Sequence, residues 1–215
     1  MQRDYRAIQL WNNVTPVAVT SSTDATPIVV TASAHGLVNG QRVLIFGHTT
    51  NIAANGTFRV ASATTNTFAL VDETTGANIA GSGAGAGSSG ICLPAATVTY
   101  MKDYVNCILQ IGTSGTATTT IKIAGSLGKP SATAFDQAMP NFGATISPAN
   151  PYSFIQAINL DSGAAVNGST GIVVAGTDIN ASYEVNANLM TYLTLIPISW
   201  TQGAITAILL VSNNS

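Results

Sequence analysis

"PIVVTASAHGLVNGQRVLIFGHTTNIAANGTFRVASATTNTFALVD", residues 27 to 72, sets short apolar runs between clusters of Gly, Asn and Thr. The runs 27–33, 42–47, 57–62 and 67–72 are rich in β-branched and aromatic side chains, which fit a pleated, half-buried surface. Between them stand "HG" at 35–36 and "NG" at 39–40 and 55–56, dipeptides that tolerate the positive φ of tight turns. The pattern predicts a small unit of hairpins. Both histidines of the chain, His35 and His48, lie inside it.

Past this unit, "TTGANIAGSGAGAGSSG" (74–90) is made of residues too small to bury much area, and reads as a connector. Strand-like runs then resume at 96–101, 104–112, 118–126, 153–160, 171–176, 182–187, 191–199 and 204–212. In "TTTIKIAGS" (118–126) Ile121 and Ile123 share one face, with Thr120 and Lys122 on the other. The expected fold is therefore all-β: a small N-terminal unit of hairpins and a C-terminal antiparallel, jelly-roll-like β-sandwich. Boundaries are placed at 1–16 (N-terminal arm or first strand), 17–80 (the small β-module), 81–95 (connector) and 96–215 (sandwich). The best helical stretch, "SATAFDQAMPNFG" (131–143), has room for about two turns before Pro140 stops it.

Composition narrows the function. Only 7% of the 215 residues are charged and the net charge is −2, so the surface is covered by neutral polar groups. Seven scattered Lys and Arg cannot neutralise a run of phosphates, which argues against nucleic acid, and they form no polybasic patch for an anionic membrane. The longest apolar run, "AITAILLV" (204–211), is far short of a bilayer span, and "MQRDYRAIQLW" (1–11) has charges where a signal peptide needs an apolar segment. Synthesis in a cytoplasm is the expectation. Low self-repulsion suits a surface that packs against other subunits.

Catalytic, cofactor and metal constellations do not assemble along the chain. No acid stands between Asp24 and Asp72, so His35 and His48 have no local carboxylate and read as turn and strand-end residues. Cys92 and Cys107 match no metal spacing; they read as packing residues, with an opportunistic disulfide or a reactive thiol as alternatives. "GAGSSG" (85–90) spells GxGxxG without the strand before and helix after it that hold a pyrophosphate, and "GKP" (128–130) lacks the spacing of a P-loop. Asp103, Asp136, Asp161, Asp178 and Glu184 are the acids of the second module. A glycosidase pair would have to converge from them, and Asp161 and Asp178 sit in loops that read as turns or Ca²⁺ loops.

Two sets of residues are candidates for recognition. Arg3, Tyr5, Arg6 and Trp11 concentrate interface-type side chains at the N-terminus, either in a subunit-contacting arm or in a first strand that simply pairs. Tyr152, Tyr192 and Trp200, with Phe154 and Tyr183 nearby, would stack on glycan rings if exposed and otherwise pack in a core or interface.

The segment from about 17 to 80 resembles a small β-barrel module of tailed-bacteriophage virion proteins, often described as similar to the β-domain of ubiquitin-activating enzymes. The likeness rests on the apolar strand before His35-Gly36-Leu37, the Gly-x-x-Val strand at 40–43, "AANGT" at 53–57 and the closing "TFAL" at 67–70. "YVNCILQIGTSGTATTTIKIAGS" (104–126) is similar to the strand, "SGT" hairpin and strand of phage β-sandwich domains, and 182–212 to their closing strands with a "TxGxIT" hairpin. The resemblance implies a non-enzymatic structural component of a tailed-phage virion, assembled in the host cytoplasm, and makes His35 part of a turn signature. It points to a capsid decoration, cement or head-fibre protein, with a tail-fibre or baseplate adhesin binding host glycans as the alternative. The implied partners are further copies of the chain, with a trimer as the expected assembly, and major capsid or tail proteins.

Overall fold

A computed structural model describes residues 5–73, 75–94, 98–101, 104–126, 153–187 and 190–213. They divide into two compact all-β units. The only helical turn among them is a 3-10 turn at Ile52–Ala54, and no helix is long and apolar enough to cross a membrane. The expected helix at 131–143 lies outside the described residues.

The first strand, β1 (Tyr5–Val14), belongs to the second unit, where it pairs antiparallel with the chain's last strand. The first unit is a closed barrel of β2 (Val17–Ser22), β3 (Val29–Thr31), β4 (Arg42–Phe46), β5 (Gly56–Ala61), β6 (Thr67–Val71) and β7 (Gly87–Leu93). Around the barrel the order is β2-β3-β6-β5-β4-β7. Its core comes from alternate positions, Ile28 and Val30, Val43 and Ile45, Phe58 and Val60, Phe68 and Leu70, as a period of two requires. Each such side chain contributes roughly 1.5–3 kcal/mol by leaving water. Arg42 and Arg59 face each other across β4 and β5, and Glu73 offsets that repulsion by accepting a forked hydrogen bond from Arg42, with Nε to Oε1 at 2.7 Å.

The placement of a connector at 81–95 is corrected by β7, which closes the barrel by pairing with β2 on one side and β4 on the other. Gly and Ser residues hide this strand from any hydrophobic pattern. The chain leading into it is also tied down: the Asp24 carboxylate accepts from the Gly83 N–H (3.0 Å) and the Gly85 N–H (2.7 Å), and Asn51 Oδ1 accepts from the Ser82 N–H (3.1 Å).

The second unit is one antiparallel sheet of β1, β8 (Val98–Tyr100), β9 (Asn106–Ser126), β10 (Ser153–Phe154), β11 (Ala157–Asn159), β12 (Ala165–Val166), β13 (Ile172–Thr177), β14 (Asn180–Val185) and β15 (Tyr192–Ser212). The main path runs β1-β15-β9-β14-β11-β12, with β10 and β13 on the far half of β9 and β8 on the far half of β15. The expected "SGT" and "TxGxIT" hairpins do not form: β9 and β15 run straight through them. Their glycines make bulges instead. The register steps from Gln202↔Thr118 to Ala204↔Ser114, with Gly115 at φ +74 and Gly203 at φ +87. Asp178 Oδ1 braces this point by accepting from the Gly115 N–H at 2.8 Å, which gives that loop acid a structural task.

These bulges fold the sheet over itself. Trp11 lies opposite Ala207, seven residues from Trp200, about 23 Å along a straight strand. Yet the two indole centroids are 5.7 Å apart. β15 must therefore turn back between them. The stacked layers expected of a sandwich are thus made by one continuous sheet, through which β9 and β15 pass.

Candidate interaction face

The two histidines are the natural starting point for chemistry, and their surroundings answer differently. His35 Nδ1 accepts from the Leu37 N–H at 2.9 Å and Nε2 faces the Thr67 carbonyl at 3.3 Å, which places the ring proton on Nε2. Its ring meets Phe68 edge-on at 5.0 Å. His35 holds a turn closed against the barrel core.

His48 is 3% exposed, and neither ring nitrogen makes a hydrogen bond of good geometry. Its ring lies against β7 where two glycines leave room: a Cβ on Gly87 would stand 2.6 Å from His48 Nδ1 and 2.4 Å from Ser22 Oγ, and one on Gly90 3.2 Å from Nε2. Asn51 closes the cluster by donating to Ser22 Oγ (3.2 Å) and to the Thr23 carbonyl (2.8 Å). Ser, His and Asn from distant stretches do meet, but at 1%, 3% and 0% exposure they are closed to a substrate and bind the barrel wall together.

Burial lowers the pKa of His48, offset in part by the Ser88 backbone. Above about pH 6.5 the ring is neutral whether the chain is folded or not, and it adds no pH dependence. Between its lowered folded value and about 6.5 the unfolded chain binds more protons, so stability falls as pH drops through that window. Melting curves at pH 7.5 and 5.0 should show a larger drop in Tm for the wild type than for His48→Gln. Equal drops would contradict this role.

Cys92 and Cys107 are free and buried, the first with its thiol pKa pushed well up and the second pushed up to about 12, both by desolvation. They are packing residues, not nucleophiles. Among the described residues no three His, Cys, Asp or Glu side chains stand together as a metal site would need. Asp103 and Asp136 lie outside the described residues. Asp161 sits in a tight turn organised by Asn159, whose Oδ1 accepts from the Asp161 and Ser162 N–H groups at 2.9 and 3.0 Å.

The surface feature of the second unit is the outer face of its sheet. Register puts Ala7, Leu210, Ile108, Glu184, Ile158 and Ala165 in one row that crosses six strands on one side. The row beside it holds Ile208, Gln110 and Ser182. The opposite parity, Leu209, Leu109 and Tyr183, is buried. Tyr5 (70% exposed), Ile158 and Leu160 leave large apolar area in water here. A groove of about 800 Å³ runs between Tyr5 and Arg6 on β1 and Leu160 and Glu184 on the far side, floored by Ile108 and Leu210.

Of the residues singled out from sequence, Tyr5 and Arg6 line this groove, and Arg6 Nη1 donates to Tyr104 Oη at 3.4 Å. Trp11 and Trp200 are corrected: at 2% and 5% exposure they form a core pair, so neither is an interface or glycan-stacking side chain. Tyr192 is half-buried and meets Tyr100 edge-on at 5.5 Å. Tyr183 is buried, and Phe154 lies under the Lys122 ammonium at 4.5 Å. Arg3 and Tyr152 lie outside the described residues. Ile108, Ile158, Leu160, Leu210 and Glu184 were not singled out. The signal was there: "CILQI" (107–111) and "AILLV" (207–211) are apolar at both parities, the mark of a strand covered on both faces.

No family model and no curated protein matches the chain. Among solved structures it is similar to the PBSX exported protein XepA, at 7% identity over 98% of this chain and 82% of that one, with a TM-score of 0.37. That neighbour is distant, and at this score it decides neither fold nor function.

Proposed function

We propose that the chain is a non-enzymatic structural component of a tailed-phage virion, acting as a capsid decoration, cement or head-fibre protein through protein-protein contacts. The observation that carries this reading is the barrel. The segment that resembles the phage module supplies five of the six strands of a closed barrel, and its His-Gly-Leu signature works as a turn held by the His35 ring. The apolar outer face of the sheet unit supports a role in packing against other protein. With 7% of residues charged, such contacts draw on apolar and neutral polar groups and change little with salt.

Immunogold labelling of intact particles tests the placement. Label spread over the head supports decoration; label at the tail tip favours the adhesin, for which the exposed Tyr100, paired with Tyr192, offers a stacking surface. Particles that take no label, with the chain left in the soluble lysate, would refute both.

A further inference from the structure

We propose that Asn167 is a site of self-modification: its side-chain amide is lost through a succinimide closed by the Gly168 main-chain nitrogen, leaving aspartate and isoaspartate. This goes beyond the virion reading and does not depend on it. The chain has three Asn-Gly steps, at 39–40, 55–56 and 167–168, and glycine obstructs such a ring closure least because it has no Cβ. The structure separates the three. At the first, the Gly40 N–H that would have to attack donates to the Val60 carbonyl at 2.8 Å. At the second, the Asn55 amide is gripped at both ends by the His48 backbone: Oδ1 accepts from its N–H at 3.0 Å, and Nδ2, the nitrogen that would leave, donates to its carbonyl at 2.7 Å. At the third, Asn167 is exposed, and neither the Gly168 N–H nor Asn167 Nδ2 has an acceptor among the described residues. Asn167 Oδ1, by contrast, accepts from both the Ser169 N–H and the Ser169 Oγ–H, each at 2.8 Å.

That arrangement favours the reaction at its hardest step. Attack of the Gly168 nitrogen on Asn167 Cγ forms the new C–N bond and moves the Cγ=O electron pair onto Oδ1, where the two Ser169 donors already point at the developing charge. The Gly168 proton passes to solvent hydroxide. As the oxyanion collapses the Cγ–Nδ2 bond breaks, and Nδ2 takes a proton from water and leaves as ammonia. Water then adds to one of the two succinimide carbonyls: opening at Cγ gives aspartate, and opening at the main-chain carbonyl gives isoaspartate. Either product adds one negative charge to a chain of net charge −2. Isoaspartate also undoes a turn. The Asn167 main-chain carbonyl accepts from the Thr170 N–H at 3.1 Å and the Gly171 N–H at 2.9 Å, just before β13 begins at Ile172. In isoaspartate that carbonyl becomes a carboxylate on a side branch, and the chain entering β13 gains a methylene.

The test is peptide mapping by mass spectrometry on the full chain, incubated in heavy-oxygen water at mildly alkaline pH, with and without denaturing guanidinium. In the folded chain Asn167 should convert about tenfold faster than Asn39 or Asn55, or more, with heavy oxygen taken up as ammonia is lost. In guanidinium the three rates should draw to within about threefold of one another, because the fold no longer distinguishes them. Ser169→Ala keeps the N–H and removes the hydroxyl. It should slow the folded-state reaction at Asn167 by about three- to tenfold and leave the rate in guanidinium nearly unchanged. Conversion at Asn39 or Asn55 as fast as at Asn167 in the folded chain would overturn the proposal, as would an Asn167 that reacts more slowly folded than unfolded. Both of those readings use the wild type and need no variant to fold. A folded-state rate untouched by Ser169→Ala would equally contradict the role given to the Ser169 donors.

Discussion

Trp200→Ala should cost the sheet unit about 3–5 kcal/mol, read as a lower denaturant midpoint by far-ultraviolet circular dichroism. The side chain is buried, its ring packs on Trp11, and its Nε1–H is shared between the Gln202 and Gly203 carbonyls, each at 3.1 Å. Truncation leaves a cavity and strips those two carbonyls of a donor at the point where β15 turns back. Trp11→Ala should cost a similar amount, and the double variant less than the sum, because each single loss already breaks the shared contact. A cost below about 1 kcal/mol for Trp200→Ala would mean that the sheet does not close on this pair.

Gly203→Ala should be comparably damaging, for a different reason. A Cβ there would lie 2.5 Å from Ala117 Cα and from the Thr116 carbonyl oxygen, both backbone atoms of β9 that cannot swing aside, and its φ is +87. Strain and overlap together are expected to cost about 3 kcal/mol or more, with soluble yield falling accordingly. Gly115, at φ +74 in the same bulge region, has nothing within 4 Å of its ideal Cβ. Gly115→Ala therefore carries only the backbone penalty, about 1 kcal/mol. Equal stability of the two variants would show that β9 and β15 do not approach as described.

The barrel was legible because its strands alternate and its turns use residues with a local reason to turn. Ile28, Val30, Phe58 and Phe68 announce an inner face, and the His35 ring closes the turn it sits in. β7 was not legible, since its composition answers to a tertiary fact. Gly87 and Gly90 are small because the His48 ring occupies the space beside them, and no local pattern records that. The same limit explains the long strands: Gly115 and Gly203 read as hairpin turns, and only the register between β9 and β15 shows them to be bulges.

The candidate face was half legible. Tyr5 and Arg6 stood out by residue type, and they do line the groove. Trp11 stood out by the same rule and is core, because type alone does not say which parity of a strand points inward. Ile108 and Leu210 carried the better signal, apolar positions left over after Leu109, Leu209 and Val211 had filled the inner face.

Quantitative mass spectrometry of purified particles, washed in about 1 M salt to strip loosely held charge-mediated passengers, decides whether this chain is built into a virion. It should be retained through the wash at a fixed, many-copy ratio to the major capsid or tail protein. Its absence from washed particles, with the full amount recovered in the soluble fraction, would contradict that reading.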